Sequence, residues 1–342
     1  MKTRAQLLAR FRAEKWVQKA KVLVGDADER LADIEEGCVQ CVVTSPPYWG
    51  LRDYDSEGQL GMEPTPGEYV AHIISVFQKV RRVLADDGVV WLNLGDSYTS
   101  GNRSWRAPNK NQMRSKVHAE RMDYRPKTPP GCKPKDLVGI PWRVALALQS
   151  DGWYLRADII WHKPNPMPES VTDRPTNCHE YLFLLSKQPH YYYDADAIRE
   201  PHGDWADKDK RYRPGAPVQE RSLDEPSRRA PTGQTGMKQI TGLARRQADG
   251  RNKRSVWTVN TKPYKGAHFA VFPPKLIEPC VLAGSREGDL VLDPFAGSGT
   301  TLAVAKRHFR RSIGIELNPE YAELAYRRLL RVPLVKPLFK NP

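Results

Sequence analysis

Short apolar runs alternate with amphipathic stretches over most of the chain, and the two periods set the predicted elements. Residues 21–24 and 39–44 are strand-like, the second (VQCVVT) rich in β-branched side chains. Over residues 67–84, Val70, Ile73, Ile74, Phe77, Val80 and Leu84 recur at helical spacing, which predicts one long helix ending near Asp87-Gly88. A strand is expected at 89–94, then a helix at 136–149 with Asp136 as its N-cap and Pro141 as a local irregularity. Strands follow at 155–161 and 181–185. Further on the alternation is regular: helix 274–282, strand 290–292, helix 300–309, strand 312–315, helix 319–330. Buried runs alternating with amphipathic helices predict an α/β fold, a doubly wound and mostly parallel sheet. Ligands on such sheets lie beyond the carboxyl ends of the strands, so the residues after each strand carry the chemistry.

Two segments, residues 101–135 and 201–254, hold neither period and are rich in Pro, Gly, Ser, Asn and Gln. They also hold the charge. The 342-residue chain has 54 Lys and Arg against 40 Asp and Glu, a net +14. The first segment has ten basic residues against two acidic, and the second thirteen against seven, so together they carry the whole excess. The predicted organisation is a neutral core (1–100, 136–200 and 255–342) with two basic insertions. Trp105, Tyr124, Trp205 and Tyr212 lie among those charges, and aromatic rings stack on bases, which favours nucleic acid as the polyanionic partner. The plain alternative is a pair of solvated loops. The candidate contacts are Arg103, Arg106, Arg114 and Lys116 in the first insertion and Arg228, Arg229, Arg245 and Arg246 in the second.

Other features narrow the class. Mean hydropathy is −0.63, and no apolar run approaches the ~20 residues of a spanning helix, so no membrane partner is expected. The first twenty residues are basic and lack an apolar centre, so no secretory leader is expected. There, Leu7, Leu8, Phe11 and Trp16 form an apolar face for docking on the core, and Arg4, Arg10, Arg12 and Lys15 could face phosphate. Five scattered cysteines, an odd number, fit a reducing cytoplasm. Cys38 and Cys41 form a C-x-x-C without a second pair or nearby His, so no metal site is predicted.

Two strand ends carry candidate chemistry. After the strand at 290–292, Asp293-Pro294-Phe295-Ala296-Gly297-Ser298-Gly299-Thr300 turns into a helix whose free N–H groups suit a carboxylate. Glu316 ends the next strand, where nucleotide-binding sheets hold ribose hydroxyls. An ordinary glycine turn beside a solvated Glu is the equal alternative on these residues alone. After the strand at 39–44 comes Ser45-Pro46-Pro47-Tyr48. The prolines stiffen the backbone and leave carbonyls exposed, so Ser45 and the Pro46 carbonyl could together accept from one amino group, beside the flat face of Tyr48. Seen alone, Ser-Pro-Pro is more often a rigid turn that merely ends a strand.

TSPPYWGLRDY (residues 44–54) with LDPFAGSGTT (292–301) resembles the amino-directed DNA methyltransferases that use S-adenosylmethionine. The catalytic motif precedes the cofactor motif, as in the permuted, beta-type members. VGDA (24–27), WLNLGDSY (91–98), WHKPNPMPES (161–170), HEYLFLLSK (179–187), HFAVFPPKLIEPCVLAGS (268–285) and IGIEL (313–317) resemble further motifs of that family. The resemblance implies a Rossmann-like methyltransferase sheet with S-adenosylmethionine as cofactor. Asp26 would contact its adenine, Glu316 its ribose, and Asp293, Phe295, Gly297, Ser298, Gly299 and Thr300 would hold its methionine part. Ser45, Pro46, Pro47 and Tyr48 would bind a base flipped out of double-stranded DNA, with 101–135 as a DNA contact and 201–254 as the target-recognition region. Arg52 and Asp53 would either contact the flipped nucleotide's backbone or pair with each other, and Trp49 would form pocket wall. Serine at the first motif position is more typical of cytosine-N4 enzymes; adenine-N6 methylation and an inactive binding module are the alternatives. A C5-cytosine enzyme is disfavoured because it needs a nucleophilic thiolate, and Cys280 reads as packing. A homodimer, a cognate restriction endonuclease and a cytoplasmic, nucleoid-associated location are further implications of the family.

Overall fold

The computed structural model describes residues 20–50, 58–99, 128–201, 250–261 and 272–333. The chain divides into two compact units, Met1–Tyr193 with Ser255–Pro342, and Asp194–Arg254.

The first unit contains strands β1 (Ala20–Val24), β2 (Val39–Thr44), β3 (Leu84–Leu94), β4 (Tyr154–His162), β5 (His179–Ser186), β6 (Val256–Thr258), β7 (Leu290–Asp293) and β8 (Arg311–Glu316). Its helices are α1 (Ala27–Arg30), α2 (Pro66–Val83), α3 (Ile140–Ser150), α4 (Pro274–Gly284), α5 (Thr300–Arg307) and α6 (Pro319–Arg331). The strands form one sheet in the order β1-β8-β7-β2-β3-β5-β4-β6. Among the described residues, only β5 runs antiparallel to its neighbours, β3 and β4; all other pairs are parallel. The expected doubly wound, mostly parallel sheet is therefore present. The short β6, pairing with β4 through Ile160↔Val256 to His162↔Thr258, is an addition to the predicted strands.

Strand alternation explains the layers. In β1, Ala20, Val22 and Val24 pack with Leu302 of α5 and with Ala322, Ala325 and Leu329 of α6. Leu23 points the other way, into a cluster with Tyr69, Ile73, Phe77 and Val80 of α2 and Val144 and Leu148 of α3. Each large side chain buried there contributes about 1.5–3 kcal/mol. The chain leaves β7 for β8 and β2 for β3, on opposite sides, so the sheet's order reverses between β7 and β2. Those strands meet at Cys41↔Val291 and Val42↔Leu292, and a crevice opens beyond such a point.

Two predicted boundaries are corrected. The helix expected to run to Asp87-Gly88 stops at Val83, and Leu84 already pairs with Val39 in β3. Residues 85–88 are a bulge rather than a turn, because the register jumps from Val39↔Leu84 to Cys41↔Val89. At its start α2 follows its sequence: Thr65 Oγ1 accepts from the Glu68 N–H at 3.2 Å, the Glu68 carboxylate accepts from the Thr65 N–H at 3.0 Å, and Pro66 occupies the first turn. The second correction is α3, which begins at Ile140 with Gly139 at the N-cap, not at Asp136. Residues 136–138 pair instead with 97–99, through Thr99 N–H to Asp136 O (2.9 Å) and Val138 N–H to Ser97 O (3.0 Å). A carboxylate from β3's exit does the capping: Asp96 Oδ1 accepts from the N–H groups of Gly139 (3.0 Å) and Ile140 (3.1 Å). Asp96→Ala is expected to destabilise the protein by about 1–2 kcal/mol, measured as a lower denaturant midpoint at constant slope.

In the second unit, the described residues form a short turn at Asp196–Ile198 and an antiparallel bridge between Glu200 and Arg251. The bridge has reciprocal backbone bonds of 3.0 and 2.9 Å and an ion pair at 3.2 Å. Among the described residues, no helix is long and apolar enough to cross a membrane.

Candidate cofactor and catalytic site

A cleft of about 960 Å³, partly open to solvent, lies at the ends of β1, β8, β7 and β2. Nine of the predicted site residues line it: Asp26, Ser45, Pro47, Asp293, Phe295, Gly297, Ser298, Thr300 and Glu316. Pro46, Tyr48 and Gly299 are not part of the lining. Pro46 is buried. Gly299 has φ +73°, and a Cβ there would lie 2.8 Å from the Ala325 Cβ, so this glycine lets α5 start against α6. Trp49 also departs from expectation: it is buried in the core, its indole N–H donating to the Glu63 carbonyl at 2.9 Å. Cys280 packs fully buried in α4, as expected.

The strand ends are fastened to one another. Asp293, 1% exposed, accepts from Thr44 Oγ1 at 2.7 Å and from the Phe295 N–H at 3.1 Å, tying β7 to β2 across the reversal point. Burial pushes its carboxyl up to about 6 against these bonds, which favour the charged form. Glu316 accepts from the N–H groups of Gly297 (2.8 Å) and Asn318 (2.9 Å), which brings the ends of β8 and of the glycine turn together. Burial, with Asp293 adding its charge, raises Glu316 to about 7 despite those two donors. Asp26 caps α1, its Oδ1 accepting from the Asp28 N–H at 2.7 Å. The glycine turn is held from behind by Arg328, which donates to Thr300 Oγ1 at 2.7 Å, and Thr301 Oγ1 donates to the Val43 carbonyl at 3.1 Å.

Beside the cleft lies a polar cluster that motif reading did not assemble. Tyr48 Oη donates to Glu180 Oε2 at 2.7 Å, and Ser45 Oγ donates to Tyr48 Oη at 3.2 Å. Asn93 Nδ2 donates to Glu180 Oε2 at 3.1 Å, and Lys163 forms an ion pair with Glu180 Oε1. The Tyr48 ring lies where a side chain on Gly95 would be: a Cβ there would be 2.6 Å from Tyr48 Cε2. Burial first, then the Glu180 charge, raises the Tyr48 phenol well above its ordinary value, so it stays a donor. Asn93, Lys163 and Glu180 each stand in a matched motif (WLNLGDSY, WHKPNPMPES, HEYLFLLSK), which was the available signal; their convergence on Tyr48 is visible only in three dimensions. The Pro47 carbonyl is occupied by the Tyr69 hydroxyl at 2.9 Å.

Arg52 and Asp53 lie outside the described residues, as do Arg103, Arg106, Arg114, Lys116, Arg228, Arg229, Arg245 and Arg246. The N-terminal segment with Leu7, Phe11 and Trp16, and the insertion aromatics Trp105, Tyr124, Trp205 and Tyr212, lie outside them too. Among the described residues, no group of three or more His, Cys, Asp or Glu could hold a metal ion.

The cleft suits an adenosyl amino acid. Leu60, Phe272, Phe295 and Ile315 give it apolar walls, and the half-buried Glu316 carboxylate faces it with lone pairs left over for hydroxyl donors. An open α/β sheet with acidic groups at neighbouring strand ends around its reversal point defines the class of proteins that hold such a nucleoside cofactor. The chain belongs to the DNA methylase family, whose profile (N6_N4_Mtase) matches residues 39–327, and it is an S-adenosylmethionine-dependent DNA methyltransferase. Among similar proteins, the type II methyltransferase M.SmaI of Serratia marcescens is 49% identical over 92% of this chain and 92% of its own length. M.Cfr9I of Citrobacter freundii is 48% identical over 91% of this chain and 87% of its own. Of solved structures, the PvuII DNA methyltransferase (cytosine-N4-specific) shares the fold with a TM-score of 0.59 at 19% identity, covering 94% of this chain and 88% of that one. The putative DNA modification methylase TTHA0409 of Thermus thermophilus, complexed with S-adenosyl-L-methionine, superposes with a TM-score of 0.55 at 26% identity, covering 91% of this chain and 94% of that one.

Proposed function

We propose that the protein is a type II, site-specific methyltransferase that transfers a methyl group to the exocyclic N4 amine of a flipped cytosine in double-stranded DNA. The observation that carries the base assignment is Ser45 at the cleft. A hydroxyl oxygen there, unlike the Asp or Asn more typical of adenine-N6 enzymes, sits at the first position of the catalytic motif. The names of M.SmaI and M.Cfr9I as type II methyltransferases support the placement in a restriction–modification system, with a cognate endonuclease as its counterpart. A homodimer as its assembly rests on the family resemblance alone.

In this reading Glu316 accepts from the ribose hydroxyls, Asp26 contacts the adenine, and Phe295, Gly297, Ser298 and Thr300 with Asp293 hold the methionine part. S-adenosylmethionine supplies, when bound, an electrophilic methyl group on a cationic sulfur. The chain's own work is positioning. Ser45 Oγ and the Pro46 carbonyl accept the two amine hydrogens, which turns the nitrogen lone pair toward the cleft, while the base stacks on the face of Tyr48. No nucleophile is needed, since displacement at the methyl carbon is direct. Basic residues of the two insertions, 101–135 and 201–254, contact the DNA phosphates and read the target.

Mass spectrometry of nucleosides from DNA treated with the purified protein and S-adenosylmethionine tests this directly. N4-methylcytosine is the expected product. N6-methyladenine would move the assignment to the other amine, and unmodified DNA with intact DNA binding would leave a binding module.

A further inference from the structure

The cluster behind Ser45 has a direction. The Glu180 carboxylate only accepts, and its Oε1 is engaged by Lys163 while its Oε2 takes Asn93 Nδ2 at 3.1 Å. Asn93 Nδ2 also donates to the Tyr181 carbonyl at 3.0 Å, so the amide faces Glu180 with its donors. Tyr48 has a single proton, and of its two acceptors Glu180 Oε2 at 2.7 Å is nearer than Asn93 Oδ1 at 3.3 Å. That proton therefore points to Glu180, and the phenol oxygen is left to accept the Ser45 proton at 3.2 Å. With its proton turned inward, Ser45 presents only lone pairs to the cleft it lines.

We propose that Glu180 acts through Tyr48 both to fix Ser45 as an acceptor and to take up the proton that methyl transfer releases. The proposal rests on the reading of Ser45 as the group that binds the target amine. The amine nitrogen's lone pair forms the new N–C bond. The methyl–sulfur bond breaks with its electron pair remaining on sulfur, which becomes neutral. The methylated nitrogen carries one proton too many and a positive charge. It gives that proton to Ser45 Oγ as the Ser45 proton passes to Tyr48 Oη and the Tyr48 proton passes to Glu180 Oε2. The amine, Ser45 and Tyr48 end neutral, and Glu180 ends as a carboxylic acid that later releases its proton to solvent. Asn93 and Lys163 are positioning residues in this scheme, holding the carboxylate's two oxygens. Glu180 is also a positioning residue for the substrate, since it reaches the amine only through two hydroxyls.

The test is a double-mutant cycle with a conservative rescue. Single-turnover methyl transfer to duplex DNA, with S-adenosylmethionine saturating, is followed for wild type, Tyr48→Phe, Glu180→Gln, the double variant and Glu180→Asp. Each single change should lower the rate by about 10²-fold. The double variant should be no slower than the slower single one, because either change breaks the same chain. Glu180→Asp, which keeps a carboxylate, should recover part of the rate lost in Glu180→Gln. Calorimetric binding of S-adenosylmethionine at the wild-type Kd certifies the fold of each variant. If Glu180→Gln does not fold, Tyr48→Phe, which removes one oxygen atom, decides alone. Multiplicative losses in the double variant, a Glu180→Asp variant no faster than Glu180→Gln, or a Tyr48→Phe variant within about tenfold of wild type would overturn the relay. Wild-type protein that leaves DNA unmethylated would instead defeat the functional reading beneath it, so the two failures are distinguishable.

Discussion

Ser45→Ala is expected to lower single-turnover methyl transfer by roughly 10²–10³-fold while leaving the Kd for S-adenosylmethionine within about twofold of wild type. The change removes one oxygen from a half-buried side chain and leaves β2 in place, because the bond that fastens the strand end is made by its neighbour, Thr44 Oγ1 to Asp293 at 2.7 Å. The cofactor's carboxylate-bearing walls are untouched. What disappears is the acceptor that turns the amine's lone pair toward the methyl carbon, and with it the hydroxyl that donates to Tyr48 Oη. A rate loss without a binding loss is the signature of an interaction used in the transition state. Turnover within about tenfold of wild type would take Ser45 out of the chemistry.

Glu316→Gln should weaken S-adenosylmethionine binding by about 10–100-fold at pH 8, the worth of charge-assisted hydrogen bonds to two hydroxyls. The wild-type Kd should also rise as pH falls through about 7, where Glu316 takes up its proton, by up to about tenfold per pH unit. The Gln variant should show a flat profile across that window. Stability runs the other way. Glu316 and Asp293 have folded values of about 7 and about 6, above the ordinary 4.5 and 3.8, so the fold holds their protons more tightly than the unfolded chain does. Their contribution is fully present in acid and is lost as pH rises through about 4 to 7. These two carboxyls therefore stabilise the apoprotein most where it binds its cofactor least. Calorimetry between about pH 6 and 8.5 checks the binding arm; a pH-independent wild-type Kd would show that Glu316 does not carry the ribose.

The parts of this architecture that were legible in the sequence are those set by neighbours in the chain. The β7-to-α6 alternation and the start of α2 follow from period and capping chemistry, and Ser45, Asp293 and Glu316 stand out because each immediately follows or ends a strand. The misreadings have distant partners. Asp136 has the look of an N-cap, but Asp96, from another element, holds the first N–H groups of α3. Asp86-Asp87-Gly88 has the look of a helix stop, but Leu84 is already paired across the sheet and the polar residues bulge outward. Gly299 belongs by motif to the cofactor turn, yet what demands a glycine there is Ala325 on α6. Glu180 could be placed in a motif but not given a task, because its partner Tyr48 is 132 residues away.

The bond between Thr44 and Asp293 joins residues 249 positions apart, and this separation has a consequence for synthesis. A ribosome adds about 5–20 residues per second, so β2 emerges roughly 10–50 s before the strand that covers its other edge. During that interval β2 can pair with β3 but keeps one open edge of β-branched residues, and β1 has no partner strand at all until β8 appears. The β7–β2 junction in the middle of the sheet and the edge strand β1 are thus both closed only near the end of synthesis, and the nascent chain is most in need of a holding chaperone through its middle stretch. A message cut short between Tyr48 and Asp293 yields a product with the catalytic motif intact and nothing to set it against.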